Sequence, residues 1–352
     1  SDLVQLADDA PALAEMKERV SASVAAAVPG ANVTGVREYT HVLRGFAIRA
    51  PMSALKAIKA TPGVKAAFKD RYSATVYDEY GPSSSGNKDK DHDPAHSAAM
   101  DMTAAAQATH KGSGQVIEVI DTGFDTSHAA FAGPVEGARL AQSDVASLTA
   151  GLGDGRGGGW VSAKIPFAYD YADGDADVSY PDPGQFPDQT SDARYTHGTH
   201  VAALAAANGS EFRGAAPDAQ LVMAKVLGDD DQEINDSVLL AALDDAAILK
   251  PDVLIVSVGD NAGQNGDALA TYADVYAALT AQGIAINAPA GDYTSSAWGN
   301  WNKGDQPFAT DADYGAIILP ALDSNALAVA SLDEVDKRDG QPLADPSPSR
   351  FS

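Results

Sequence analysis

Two short segments hold the residues best suited to chemistry. Asp121 ends an apolar run in Val119-Ile120-Asp121-Thr122-Gly123, and His197 lies in Thr196-His197-Gly198-Thr199-His200-Val201. A histidine is the natural general base near neutral pH, and a carboxylate beside it would hold its tautomer and stabilise the imidazolium. Each residue also has a plainer use. An aspartate at a strand end often turns the chain or caps a helix. His197 and His200 are three apart and could hold zinc from one helix face, although no glutamate or convincing third ligand accompanies them. Cysteine is absent, which excludes thiol catalysis, disulfides and thiolate metal sites. A further group, Asp170, Asp173, Asp175 and Asp177, offers oxygen ligands at tight spacing and could bind calcium. A solvated acidic loop has the same make-up.

These residues need elements to hold them. The spacing of Leu13, Met16, Val20, Val24 and Ala27 predicts a helix over 8–28, stopped by Pro29-Gly30. Residues 33–39 and 42–49 read as strands, 52–60 as a second helix and 64–72 as another strand. That order suits a small ferredoxin-like α+β unit that lacks one strand at its start. Gly81-Pro82-Ser83-Ser84-Ser85-Gly86 then opens a polar, uncored linker, which divides the chain into 1–75, a linker at 76–95, and 96–352. Beyond it, strands at 116–120, 219–226, 253–258, 284–288 and 326–331 alternate with helices at 199–207, 235–248 and 269–282. Such alternation implies a parallel sheet covered on both faces, with functional groups at the carboxyl ends of its strands.

The 352 residues suffice for two cores, and their net charge of −25 argues against nucleic acid, whose phosphates would be repelled. Residues 1–75 carry ten Lys/Arg against seven Asp/Glu, and the remainder fourteen against forty-two, so +3 faces −28. Opposite signs would draw the two parts together, and acidity that only keeps the protein soluble is the simpler alternative. No stretch is long and apolar enough for a membrane span. Ser1 follows no charged-then-apolar leader, so an export signal is expected to have been removed.

The Asp-Thr-Gly and His-Gly-Thr-His-Val segments together resemble the two upstream catalytic motifs of the subtilisin family of serine proteases, in the family's order. Gly214-Ala215-Ala216-Pro217-Asp218-Ala219-Gln220-Leu221 and Asp252-Val253-Leu254-Ile255-Val256-Ser257-Val258-Gly259 resemble two of its strands. Ala290-Gly291-Asp292 falls where the family has Ala-Gly-Asn. Residues 1–75 resemble the family's inhibitory pro-domain through Tyr39-Thr40-His41-Val42-Leu43-Arg44-Gly45-Phe46. Asp121-Thr122-Gly123-Phe124-Asp125 and the stretch from Lys164 to Asp173 are most similar to the lactocepin and C5a-peptidase group of Gram-positive cell-envelope proteases.

The resemblance implies an α/β fold class: a subtilisin-like parallel sheet with helices on both faces, preceded by a small α+β ferredoxin-like pro-domain. It also implies a serine endopeptidase zymogen, secreted or attached to the cell wall, that cleaves proteins or peptides. The pro-domain would be its intramolecular inhibitor, and the chemistry would require no cofactor. His197 would be the general base and Asp121 its partner. Ser257, Val258 and Gly259 would pair with substrate backbone, unless they only end a core strand. Pro289, Ala290 and Gly291 would line the opposite wall of the first specificity pocket, and the tail at 72–80 would lie across the site before cleavage.

Three features depart from the family pattern. No Gly-Thr-Ser occurs, and Ser349-Arg350-Phe351-Ser352 resembles a segment upstream of the family's serine. The expectation is a chain without its nucleophile, inactive alone and with an exposed core face. Asp292 replaces the asparagine that donates to the oxyanion; an ionised carboxylate cannot donate, whereas a protonated one can. A natural and an introduced aspartate fit equally. Ala130 replaces one calcium-binding aspartate, and 206–215 is too short for the family's calcium loop, which leaves the aspartates at 170–177 as weak calcium candidates. The competing function is a catalytically inactive subtilisin-fold module for surface binding or adhesion. Asp292 and the absent serine favour it, and Asp121 and His197 oppose it.

Overall fold

The computed structural model describes residues 1–70, 72–75, 108–179, 194–210, 212–231, 234–259, 266–291, 317–330, 332–335 and 342–348; the linker expected at 76–95 lies outside them. The first unit comprises β1 (Asp2–Leu6), α1 (Leu13–Ala27), β2 (Thr34–Tyr39), β3 (Gly45–Arg49), α2 (Leu55–Lys59) and β4 (Val64–Lys69). Its strands form an antiparallel sheet in the order β2-β3-β1-β4, and β1 is the strand that the sequence pattern lacked. Side chains alternate across β1. Val4 and Leu6 meet Met16, Val20 and Ile58 beneath the helices, while Leu3 joins Ala47 and Phe68 in the core of the second unit. α1 begins at Leu13 and not at residue 8, because the Arg44 guanidinium donates to the carbonyls of Asp8, Ala10 and Pro11 and holds that stretch as a turn.

β5 (Tyr72–Thr75) follows, then β6 (Val116–Asp121), α3 (Gln142–Thr149), β7 (Phe167–Asp170), α4 (Arg194–Ala206) and β8 (Gln220–Lys225). Next come β9 (Ile234–Asn235), α5 (Asp236–Leu249), β10 (Val253–Val256), β11 (Val258–Gly259), α6 (Gly266–Ala281), β12 (Ala285–Pro289) and β13 (Ala326–Val329). Six of these strands form a parallel sheet in the order β13-β12-β10-β6-β8-β7. β6 is buried along its whole length. Ile117 and Val119 pack under α4, and Val116 and Ile120 under α5 and α6, so the strand reads as one apolar run broken only by Glu118. At the β13 edge, Leu327 and Val329 are 64% and 51% exposed. β14 (Leu332–Val335) and β15 (Pro342–Pro348) pair with each other.

Two strands expected as single runs are each divided. The run at 64–72 ends with β4, because Asp70 turns the chain: its N–H donates to Ser1 O at 2.9 Å and its carboxylate accepts from Ser237 at the start of α5. The run at 253–258 leaves the large sheet after β10. β11 instead pairs antiparallel with β5, which also pairs with β9, giving a three-stranded sheet β11-β5-β9.

The two units are joined through α5, of which only Ile248 is not buried. Asp244 accepts backbone N–H bonds from Thr40 at 2.8 Å, His41 at 3.1 Å, Val42 at 2.8 Å and Leu43 at 2.9 Å. Those bonds fix residues 40–43 as a turn, so β3 starts at Gly45 and not at 42. Asp245 takes a bidentate pair from Arg156 at 2.7 and 2.8 Å, and Arg156 also donates to Glu38 O at 3.1 Å.

Candidate active site

Asp121 is the last residue of β6 and is wholly buried. Its Oδ1 accepts from Thr122 N–H at 2.7 Å and lies 2.7 Å from His197 Nδ1. His197 sits one turn inside α4, which starts at Arg194, earlier than the expected 199. The close approach depends on Gly198. A methyl group there would lie 2.3 Å from Gly123 O, 3.0 Å from Asp121 Cβ and 3.1 Å from the Phe124 ring. Thr199 Oγ1 accepts Asp125 N–H at 2.9 Å, so the segment that carries the histidine also anchors the turn after the aspartate. The ring is then oriented by a carboxylate at Nδ1, as a histidine general base requires. His200 faces solvent, and neither histidine belongs to a cluster able to hold a metal among the described residues, so the zinc alternative has no geometry behind it.

Beside this pair lies a slot one strand wide. Ser257 N–H approaches Ile120 O at 3.4 Å, next to Asp121, and Val258 and Gly259 then form β11. β5 fills the slot: Ala74 opposes Gly259, Thr75 opposes Val258, and Tyr72 and Ser73 oppose Asn235 and Ile234. Ser257 is half-buried, and Val258 and Gly259 are buried. Pro289, Ala290 and Gly291, all half-buried, continue from β12 alongside them, and Asp292 lies outside the described residues.

Residues 112–350 match the subtilase family. The chain is a subtilase. It is 29% identical over 252 residues to the PI-type proteinase of Lactococcus lactis subsp. cremoris, covering 69% of this chain and 12% of the relative. It is 29% identical over 256 residues to the C5a peptidase of Streptococcus pyogenes serotype M3, covering 68% and 19%. With the minor extracellular protease Vpr of Bacillus subtilis (strain 168) the identity is 28% over 248 residues, covering 68% and 25%. The chain thus spans at most 25% of the length of these relatives. Its fold is similar to that of the epidermin leader peptide processing serine protease of Staphylococcus aureus, with a TM-score of 0.55 at 16% identity over 100% of this chain and 71% of that one. The subtilisin-like α/β fold with a separate antiparallel N-terminal sheet is therefore the fold observed, within a family of serine proteases.

The acidic stretch of this subtilase is arranged differently from the expected quartet. Asp170 and Asp173 come together with Asp229, their oxygens within 4.8 Å of one another, and Asp175 and Asp177 are not part of that cluster. Asp175 accepts Asp177 N–H and Asp177 accepts Ser179 N–H, both local turns. At the centre of the trio is the fully buried Lys225 ammonium, 2.6 Å from Asp170 and bonded to Asp229. Burial alone would lower the Lys225 pKa, but the bonds from Asp170 and Asp229 outweigh it and hold the ammonium above its usual range. Asp229 opens a run of three aspartates that sequence reasoning passed over. Asp244, Asp245 and Arg156 were also missed: the two aspartates lie inside an otherwise apolar helix, where their spacing announces neither the turn at 40–43 nor Arg156 as a partner.

Proposed function

We propose that this subtilase is the zymogen of a secreted serine endopeptidase. The observation that carries the reading is the Asp121–His197 pair at 2.7 Å beside a slot filled by the chain's own strand β5. A serine from a segment outside these 352 residues supplies the nucleophile. His197 takes the hydroxyl proton as the oxygen attacks a peptide carbonyl and returns it to the leaving amine, while Asp121 holds the Nδ1 proton and stabilises the imidazolium. Water then hydrolyses the acyl-enzyme by the same base. Substrate backbone pairs with Ser257, Val258 and Gly259, as β5 does with the last two, so the pro-unit acts as an intramolecular inhibitor until it is cut. Leu327 and Val329, exposed on the edge strand, support a further segment packing there. The name of the extracellular B. subtilis relative supports secretion. No helix among the described residues is long and apolar enough to cross a membrane. The chemistry needs no cofactor, and Lys225 supplies to its three aspartates the charge that calcium would otherwise bring.

Asp292 is the oxyanion position in this reading. An ionised carboxylate there costs about a hundred- to a thousandfold in rate, a figure that comes from a subtilisin. The test follows self-cleavage of the full-length gene product and its Asp292→Asn variant by intact mass over several pH values. The asparagine form should cut itself beyond Thr75 quickly, and the aspartate form slowly, faster as pH falls. If neither form cleaves itself or casein at any pH, the surface-binding module replaces the endopeptidase.

A further inference from the structure

The endopeptidase reading leaves its substrate class open, and a cleft beside the catalytic pair narrows it; the inference rests on that reading. In the strand order β10-β6-β8-β7, the slot lies on the β10 side of Asp121, because Ser257 to Gly259 continue from β10. The cleft lies on the other side, toward β7. Its walls are the turn after β6, at 124–127, and the segment after β7, at 176–179, and Val161 adjoins them. Phe124 N–H donates to Val178 O at 2.7 Å and ties the two walls together. The cavity measures about 430 Å³. β5 runs from Ala74 opposite Gly259 to Thr75 opposite Val258, so a strand in the slot travels toward Ser257 and hence toward Asp121 and His197. Residues before the scissile bond therefore occupy the slot, and those after it leave the pair on the side of the cleft.

The floor of the cleft and its rim differ in chemistry. Phe124 and Val178 are 1% and 3% exposed and make an apolar base, which Val161 extends. The Phe124 ring also lies against Gly198, next to His197, which puts the cleft within one side chain of the base. At the rim stand Asp125 and Asp177. Each carboxylate accepts, through Oδ1, the N–H and the hydroxyl of the serine two residues on, Ser127 or Ser179. The bonds from Ser179 hold the Asp177 carboxyl below its usual range, so it is ionised at neutral pH. No lysine or arginine lines the cleft. An apolar base under two carboxylates suits a side chain with a methylene stem and a cationic end, the stem resting on Phe124 and Val178.

We propose that this cleft receives a lysine or arginine side chain from the part of the substrate that follows the scissile bond, so the enzyme selects proteins with a basic residue there. The test uses the self-processed full-length gene product and internally quenched peptides of one sequence, with lysine, norleucine or glutamate placed in turn at each position after the scissile bond. At one of these positions kcat/KM in low salt should be at least about fivefold higher for lysine than for norleucine, and lowest for glutamate. Added salt should shrink that ratio. Asp177→Asn, which can still accept the bonds from Ser179, should remove much of the preference, and Asp125→Asn in addition should remove the rest. The ratio between substrates is the readout, because a structural loss would lower the norleucine rate as well. Equal rates for lysine and norleucine at every position, or a lysine preference that survives both substitutions, overturns the inference and leaves the endopeptidase reading standing. Hydrolysis of none of the peptides, together with no self-cleavage, overturns both.

Discussion

At Gly198 the backbone of α4 touches the turn that follows Asp121, and no side chain fits between them. Gly198→Ala should push the helix back by a few tenths of an ångström or more, costing about 1–3 kcal/mol of stability, with a larger loss of activity because the His197 ring moves with the helix. Melting temperature and self-cleavage rate, measured together, check this. Asp121→Asn keeps the shape and loses the charge; the expected fall in kcat is about 10⁴-fold at nearly unchanged melting temperature. Lys164 is a separate case. Its buried ammonium donates to Pro217 O at 2.8 Å and Ala219 O at 2.6 Å, and burial pushes its pKa down to about 8 from 10.5. Between those values the unfolded chain holds more protons than the folded one, so stability should rise with pH across that window. Lys164→Met should remove the slope in a series of melting curves.

Among elements, the short strands do the most. β9 and β11 hold only two residues each, yet they form the two sides of the slot, and β9 leads directly into α5. The same helix is gripped by the first unit at two points. Asp70 accepts from Ser237 in its first turn, and Asp244, lower down, accepts four N–H bonds from residues 40–43. Asp244→Ala leaves four donors without an acceptor. Docking of the first unit should weaken by about 1–3 kcal/mol, read as faster proteolysis within 1–75. The loop between β8 and β9 is tied back by Lys225 through Asp229, and Asp173 accepts Asp229 N–H at 2.8 Å. Lys225→Met leaves those carboxylates without their cation and should cost about 3–5 kcal/mol, part of which added calcium restores in calorimetry.

For the molecule as a whole, charge and apolar burial act together across the joint between the units. The cationic first part meets the acidic second part through Lys59–Asp267 at 3.0 Å and through Lys65 with Asp274. Both pairs are partly exposed and worth little singly. Leu3, Ala47 and Phe68 are buried in a shared core with Leu239 and Val275. Salt should therefore weaken docking of the first unit on the second only severalfold, since screening reaches the ion pairs and not the core. A much steeper salt dependence would mean that charge and not burial holds the units together.

The two motifs, the alternation of elements and the sign of the charge on each part were legible in the chain, because helical and strand periodicities and the Asp-Thr-Gly and His-Gly-Thr-His-Val segments are local patterns. They picked out Asp121 and His197, which the folded chain brings together, and the large sheet. Element ends were less legible. Residues 40–43, 70 and 257 change direction because of partners far along the chain, namely Asp244, Ser237 and Ile120, and no local spacing records such bonds. The acidic stretch shows the same limit. Four aspartates at close spacing suggested one site, but only the folded chain brings in Asp229 and inserts Lys225, from another strand, among them. The turn at 40–43 shows it most clearly: nothing near it in the chain distinguishes it from the start of a strand, and its bonds to Asp244 exist only after two segments far apart in sequence have packed.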